Sequence, residues 1–438
     1  MFNPFRHTIN LLPALAATAA LAAVAAPTAS ASSTTYCVND PSCTGTVEPS
    51  VQRALNKASF RLGPDTVQIG PGVYAKRGGF SYNSTALDNA VTIVGAGQGS
   101  TTLRIPGDPS VHERVLSVVD SAGGSRLTGL SIKIPGEPAN NQVNDTGLAL
   151  DGTRADHVTV GGAATANNVI GLVTFGASSF TRGTVTLPVA SPSNTGVLSE
   201  GPTKLSLTTV KANTAFTNDS NSGASKLDRV TLSVDGSSAI GASTEVGAVS
   251  IKNSVIDLHS AAFGAGLRAA NLNSGPGPKS IRADHVTVVG GGANSTGLQV
   301  LATAPIDNGS QLSTATLTNS TISGPAVAID REARNTATTN PGTSRAIVKT
   351  DYSNYDQGTV IDNNGANGGG STSDAHFVAG APTFVGGGDL TPAPGSILID
   401  AGDPTLAGGV DLAGNPRVAD GDADGIAVTD LGAFERQP

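Results

Sequence analysis

Apolar and polar residues alternate in short runs through the middle of the chain. Arg154-Ala-Asp-His-Val-Thr-Val160 recurs unchanged as Arg282-Ala-Asp-His-Val-Thr-Val288. Looser copies start at Lys226, Ile251 and Leu317. Alignment puts Asp156, Asp228, Asn253, Asp284 and Asn319 in one column, with Gly129, Gly183 and Asp351 as weaker members. Clear neighbours lie 25 to 35 residues apart, and the 72 residues from Asp156 to Asp228 fit three turns, through Gly183 and near Ser206. Each unit joins a turn-forming Asx or Gly to a short alternating β run. None carries a ten-residue helical pattern. A lone strand of this kind leaves its apolar face in water, whereas stacked copies align Val, Ile and Leu into ladders. The unequal spacing excludes a strict hexapeptide left-handed helix. It fits an all-β chain wound as a right-handed parallel β-helix, a solenoid whose turns differ in length. The Asx column is expected along one edge, with Val158, Val230, Val255 and Val286 in one interior ladder.

Towards the N-terminus the period changes. Val51, Ala54, Leu55 and Ala58 have helical spacing, with Ser50 placed as N-cap. A helix over 50–58 would cover the exposed end of the stack, where unpaired edges invite aggregation. Strand-like Asp65-Thr-Val-Gln-Ile69 and the turn Gly70-Pro-Gly-Val-Tyr74 follow. Ser50–Ala58 followed by Asp65–Tyr74 resembles the N-terminal cap of pectin-lyase-like β-helix proteins. Val91-Thr-Ile-Val-Gly-Ala-Gly97 looks like that family's next rung.

Residues 363–374 are almost all Asn, Gly, Ser and Thr, which predicts a flexible loop or boundary. Beyond it come Ala381–Val385, Asp389–Ser396, Ile399–Asp403, Gly414–Arg417 and Asp430–Glu435. That order resembles the choice-of-anchor Q domain that follows β-helices in exported bacterial proteins. The expected organisation is a signal segment (1–31), cap and first coil (32–82), β-helix body (83–362), loop (363–375) and a small C-terminal module (376–438). Members of that family often carry a surface-sorting tail. Here the chain stops three residues past Glu435, which implies release rather than attachment.

The first 31 residues read as a secretory signal. Arg6 and His7 precede the apolar run Leu11–Ala26, and Ala29-Ser-Ala31 offers a cleavage site. No later segment is apolar enough to span a bilayer. An extracellular location follows, and with it an expected disulfide between Cys37 and Cys43, the chain's two cysteines. The 55 Gly follow no triplet period, which excludes collagen, and 14% charged residues argue against a charged disordered chain. Net charge is −8, but residues 32–399 carry 23 Lys and Arg against 26 Asp and Glu, and residues 400–438 carry 2 against 8. The body is therefore nearly neutral, which gives no sign of a nucleic-acid surface.

The resemblance raises the prospect of polysaccharide chemistry, but the motifs for it are missing. Polygalacturonases carry Asn-Thr-Asp, Asp-Asp, Gly-His-Gly and Arg-x-Lys sets, and none occurs. The pectate lyase Trp-Ile-Asp-His stretch is echoed only by Asp156-His157 and Asp284-His285, in a chain without Trp. Five rungs at about 4.8 Å would separate those pairs by about 24 Å, while paired glycosidase carboxylates stand roughly 5–9.5 Å apart. Each Asp is expected to form a turn, with its His outward on the following strand. No catalytic residue is assigned. His112, His259, His376 and the run Arg331–Arg334 read as surface or solvated groups.

Asp420-Gly-Asp-Ala-Asp-Gly425 is the one metal-like motif. Carboxylates at positions one, three and five, with Gly at six, form the first half of a calcium loop. Asp420, Asp422, Asp424, the Ile426 carbonyl and Asp430 are the candidate Ca²⁺ ligands, with a plain acidic turn as the alternative. Such a site would pin Asp430–Glu435 against the end of the stack. The expected function is non-catalytic binding of extracellular polysaccharide or cell-envelope glycan, with no nucleic-acid partner. The alternatives are a polysaccharide lyase or glycoside hydrolase, and a structural or adhesive surface protein. An exposed groove with a Tyr or Phe platform would separate a binder from a scaffold.

Overall fold

The structure is a computed structural model that describes residues 32–84, 89–106, 113–136, 145–189, 191, 193–220, 222–271, 277–303, 309–339 and 341–438. The signal segment 1–31 and His112 lie outside the described residues. Twenty-eight strands join in one network of stacked coils, about 11 turns in all. This is the expected right-handed parallel β-helix. Most coils give a strand to each of two faces: a longer, bent one to the first sheet (Arg154–Gly162, Lys279–Val289) and a shorter one to the second (Thr146–Asp151, Phe263–Asn271).

The alternation read from the sequence decides which side chains go inside. Leu127, Ala155, Phe180, Leu205, Leu227, Ile251, Ala283 and Leu317 stack coil upon coil in the first sheet. All are buried, and six of the eight are large, with Ala155 and Ala283 the two small members. Each large member contributes about 1.5–3 kcal/mol by leaving water.

The first sheet bends at a corner where one residue per coil takes the left-handed conformation. Gly129, His157, Arg182, Leu207, Arg229, Asn253, His285, Asn319, Tyr352 and His376 fill this position, with φ between 42° and 68°. The expected Asx column is therefore two neighbouring columns. Asp156, Asp228, Asp284 and Asp351 stand one residue before the corner, in register with Thr181, Ser206, Lys252 and Thr318. Asn253, Asn319 and Gly129 are the corner itself, and Gly183 lies one residue past it. Asn resembles Asp as a turn former but tolerates the left-handed region better, which caused the one-residue slip. The slip has a consequence for the interior ladder. Ser254, not Val255, pairs with Val286. Val255 points outward beside Thr231 and Thr287, because a one-residue shift exchanges the two faces of a strand.

The N-terminal end is covered as expected. Helix Val51–Phe60 starts at Ser50, whose Oγ accepts from the Arg53 amide at 3.3 Å, and buries Val51, Ala54, Leu55 and Ala58. Glu48 anchors it through Arg53 (3.2 Å) and Lys57. Cys37 and Cys43 form the expected disulfide.

The other end departs from expectation. Residues 363–375 are not a loop: Ile361–Asn364 and Gly368–Phe377 are strands that complete a last coil on Asp330–Ala333 and Ser344–Ser353. A parallel ladder satisfies backbone groups whatever the side chains are, so a Gly- and Ser-rich segment can extend an existing stack. Arg331 is likewise fully buried, not solvated. Its guanidinium donates to Asn364 Oδ1 (2.9 Å) and the Ala346 carbonyl (3.3 Å), and pairs with Asp362. Last-coil acceptors thus offset the desolvation of a charge.

The C-terminal module has little regular structure beyond the hairpin of Phe384–Gly386 and Asp389–Pro392. It does not pin its final segment to the end of the stack. That segment lies along the flank, over the corner. The Gly432 amide donates to the Asn319 carbonyl (2.8 Å) and the Ala433 amide to Thr287 Oγ1 (2.8 Å). Arg417 Nε donates to Asn253 Oδ1 (3.1 Å), and the Asp403 amide donates to Asn319 Oδ1 (2.8 Å). This cover is what buries outward-facing Val255, Thr287 and Thr321.

Candidate functional site

The two Asp-His pairs sit on the same corner five rungs apart, in different surroundings. Asp156 is outward and half-buried. Arg182 on the next coil binds it twice, Nε to Oδ1 at 2.9 Å and Nη2 to Oδ2 at 2.6 Å, and His157 Nδ1 lies 3.0 Å from Oδ2. The Arg182 hydrogen bond holds the Asp156 carboxyl below its usual range. Asp284 faces His285 Nδ1 at 2.9 Å, Lys252 Nζ at 3.1 Å and Asn319 Nδ2 at 3.3 Å. Burial opposes its charge, yet the hydrogen bonds from His285 and Lys252 keep it well below the carboxylate range. Both histidines occupy the corner residue itself, not the following strand. Every carboxylate here is engaged in holding the corner, and the pairs are too far apart to act on one bond.

The candidate metal residues separate into two groups. Carboxylate oxygens of Asp400, Asp420 and Asp422 lie within 4.8 Å of one another. Asp400, absent from the sequence expectation, comes in from the neighbouring turn, and the Gly421 amide donates to its Oδ2 at 3.2 Å. Asp424 and Ile426 are exposed on the same loop, where the Ile426 amide donates to Asp424 Oδ1 at 2.8 Å. Asp430 does not close this shell. It is fully buried, and its two oxygens accept from the amides of Asp400 (2.8 Å) and Arg436 (2.7 Å). Burial, reinforced by the Glu435 charge, pushes its pKa up to about 7.

A second constellation lies on the outer face of the second sheet. Register places Ile240, Ala265 and Thr296 side by side on three coils, and Ser243, Arg268, Gln299 and Asp330 on four. Gly264 and Ala265 carry at most a methyl, and a Cβ on Gly264 would stand 2.4 Å from the Ala239 carbonyl oxygen. They floor a cleft of about 290 Å³, walled by Phe263 on one side and by Arg268 and Gln299 on the other, with Asn294 at its rim. Phe263 is 54% exposed; the one other exposed phenylalanine among the described residues, Phe60, is on the capping helix. Arg268 Nε is buried without a hydrogen-bond partner among the described residues. Gln299 Nε2 donates to Asp330 Oδ2 at 3.0 Å, which fixes the amide in place.

This cleft was missed in the sequence although a second repeat marks it. Thr146-Gly-Leu148, Ile170-Gly-Leu172, Thr195-Gly-Val197, Ile240-Gly-Ala242, Ala265-Gly-Leu267 and Thr296-Gly-Leu298 occupy one column of the second sheet, interrupted once by Thr214-Ala-Phe216. The glycine is required by close approach. A Cβ on Gly266 would stand 2.6 Å from Val288 Cγ1 and 2.7 Å from the Gly297 carbonyl oxygen. In a Gly-rich chain this motif does not stand out by composition.

No family model matches the chain, and no curated protein matches it. Among solved structures, pectate lyase Pel9A aligns over 93% of this chain and 97% of its own, with a TM-score of 0.50 at 12% identity. That likeness establishes the fold. A GH87 α-1,3-glucanase from Streptomyces thermodiastaticus (TM-score 0.40, 16% identity, 83% of this chain and 71% of that one) also aligns. So does the PL6 alginate lyase AlyGC (TM-score 0.39, 13% identity, 83% and 56%).

Proposed function

We propose that the protein is a secreted glycan-binding β-helix that holds sugar at the second-sheet cleft without cleaving it. The observation that carries this is exposed Phe263 lining, together with the Arg268 side chain, a cleft floored by small residues. An aromatic face stacks on the apolar face of a pyranose, while a guanidinium and fixed amides recognise its hydroxyl or carboxylate oxygens. A solved structure that shares the fold, a pectate lyase, supports a glycan as the ligand class. A lyase or hydrolase reading needs a base or a carboxylate pair aimed at one bond. The residues lining this cleft offer a cation and amides, which favours holding over cleaving.

A glycan array probed with the secreted protein and with Phe263→Ala is the test. Binding should fall at least about tenfold in the variant, as expected for loss of a central aromatic anchor. Equal binding by both forms, or conversion of the bound glycan to shorter or unsaturated products, would overturn the reading.

A Ca²⁺ ion in the C-terminal module belongs to the same proposal, held by Asp400, Asp420 and Asp422 with Asp424 and the Ile426 carbonyl as further oxygens. Its role is to stiffen the module that covers the corner. At 100-fold excess over its dissociation constant one ion stabilises the folded form by about 2.7 kcal/mol. Equal melting temperatures in calcium and in chelator would remove the ion from the account.

A further inference from the structure

Six cations share one row on the outer face of the first sheet. Register sets Arg126 beside Arg154, then Ser179, then Lys204 beside Lys226. The row continues through Ser250, Arg282 and Thr316 to Lys349. All six cations are exposed. Among the described residues, none of their side chains enters a hydrogen bond or ion pair. In a chain of net charge −8, a row of one sign is not what composition alone would produce.

The acidic row two residues along the strands does not neutralise it by contact. Asp156 is taken by Arg182, Asp228 by Arg229 at 3.7 Å and the Asn253 side-chain amide at 3.1 Å, Asp284 by Lys252 and His285, and Asp351 by His376 at 2.8 Å. The ladder therefore faces solvent with its charge unspent, at a rung spacing of about 4.8 Å. Its N-terminal end is concave: Arg126 and Arg154 line a groove of about 410 Å³ together with Ser179 and the paired Asp156 and Arg182.

We infer that this row binds a linear acidic polysaccharide laid along the axis of the stack. The row is straight, and cations recur at multiples of one rung, which matches a polymer with carboxylate or sulfate groups at regular intervals. Ser179, Ser250 and Thr316 interrupt the cations with hydroxyls that suit sugar hydroxyls. Nucleic acid is a poorer match. A single-strand binder interleaves its cations with aromatic platforms, and this row holds none. Duplex DNA carries a charge every ~1.7 Å, far denser than the ladder. The row is on a different sheet from Phe263, so its success or failure is separate from that of the cleft.

The test uses the secreted chain and the variant Arg126→Ser, Arg154→Ser, Lys204→Ser, Lys226→Ser. Serine already occupies two rungs of the row, so the exchange suits the strand; circular dichroism checks that the coils persist, and Arg154→Glu gives a second, single-site reading. Binding is measured by titration with polygalacturonate, a sulfated galactan, a neutral galactan and single-stranded DNA, at about 50 and about 200 mM salt. The expected result is binding to one or both acidic glycans, weakened by salt, and at least about tenfold weaker in the fourfold variant. The arm that binds decides between uronate and sulfate. Equal affinity of variant and parent, equal binding of the neutral galactan, preference for DNA, or no binding to either acidic glycan would each overturn the inference.

Discussion

Arg154–Val160 and Arg282–Val288 are the same seven residues in two places, and they differ in almost everything except backbone. Both put His at the left-handed corner, at φ 51° and 55°. Both bring the Asp carboxylate to His Nδ1, at 3.0 and 2.9 Å. Yet the His157 side chain is 51% exposed and that of His285 4%. His285 Nε2 reaches Thr429 Oγ1 at 3.0 Å, and Thr287 accepts from the Ala433 amide, because the C-terminal module lies over that copy alone. Local sequence thus decides the corner. What the corner does is decided by a segment more than 140 residues away in the chain, as the separation of 144 between His285 and Thr429 records.

The largest expected effect breaks this difference by lifting the module. Arg417 is buried and joins Glu435 (3.4 Å), the carbonyls of Gly432 and Ala433 (3.0 Å each) and Asn253. Arg417→Ala would strand the Glu435 carboxylate in a buried site, a loss of about 3–5 kcal/mol for breaking such a pair. Chemical denaturation should show that loss, and His285 should become as open to modification by an imidazole reagent as His157. Arg182→Ala, at the uncovered copy, removes a solvent-exposed pair and should leave the melting temperature nearly unchanged. Equal losses at the two sites would mean that the module contributes nothing to the difference.

A smaller effect reads the same contrast through pH. Burial lowers the pKa of His285, with Arg417 and Lys252 adding to the shift while Asp284 opposes it. The unfolded histidine titrates near 6.5, so below that pH the unfolded chain binds a proton that the folded chain does not. Stability should therefore fall as pH drops below about 6.5, by at most about 1.4 kcal/mol per pH unit from this one group. Asp430 works against it. Its folded pKa of about 7 stands above the unfolded value, so its contribution declines as pH rises from about 4 to about 7. Comparing variants isolates the histidine. Asn fills the corner at residues 253 and 319, which makes His285→Asn and His157→Asn compatible with the backbone. Urea unfolding between about pH 5 and 7.5 should lose part of its acid-side decline in His285→Asn and keep it in His157→Asn. The same slope in both variants would place the titrating group elsewhere.

The comparison also marks what could be read from residues alone. The stack was legible because Arg-Ala-Asp-His-Val-Thr-Val is distinctive and its apolar positions alternate. The five rungs between Asp156 and Asp284 were counted correctly for the same reason. The one-residue slip at Asn253 was not visible, since Asp before the corner and Asn at the corner look alike in a column. The cleft at Phe263 stayed hidden because its coils announce themselves only by Gly before Leu or Ala, and glycine is everywhere in this chain. The flank docking of Gly432 and Ala433 depends on long-range backbone bonds, which leave no local pattern. Asp400 was missed as a neighbour of Asp420 for that same reason, and Asp430 was misplaced because its burial cannot be read from its spacing.

The smallest effect tests the corner without either Asp-His pair. Leu207 holds the left-handed position on the coil between Arg182 and Arg229, at φ 51°, with 39% of its surface exposed. A left-handed conformation costs an ordinary L-residue roughly 1–2 kcal/mol, and leucine has no short polar side chain to offset that locally. Its partial exposure means that little apolar burial is at stake. Leu207→Asn should therefore stabilise the protein by about 0.5–1 kcal/mol, an increase in the urea midpoint with an unchanged slope. Leu205→Asn, two residues earlier and fully buried in the interior ladder, should do the opposite and strongly. If the exposed change destabilised instead, the corner at this coil would be held by packing of the leucine and not by backbone preference. The shared geometry of the two heptapeptides would then owe less to local sequence than their identity suggests.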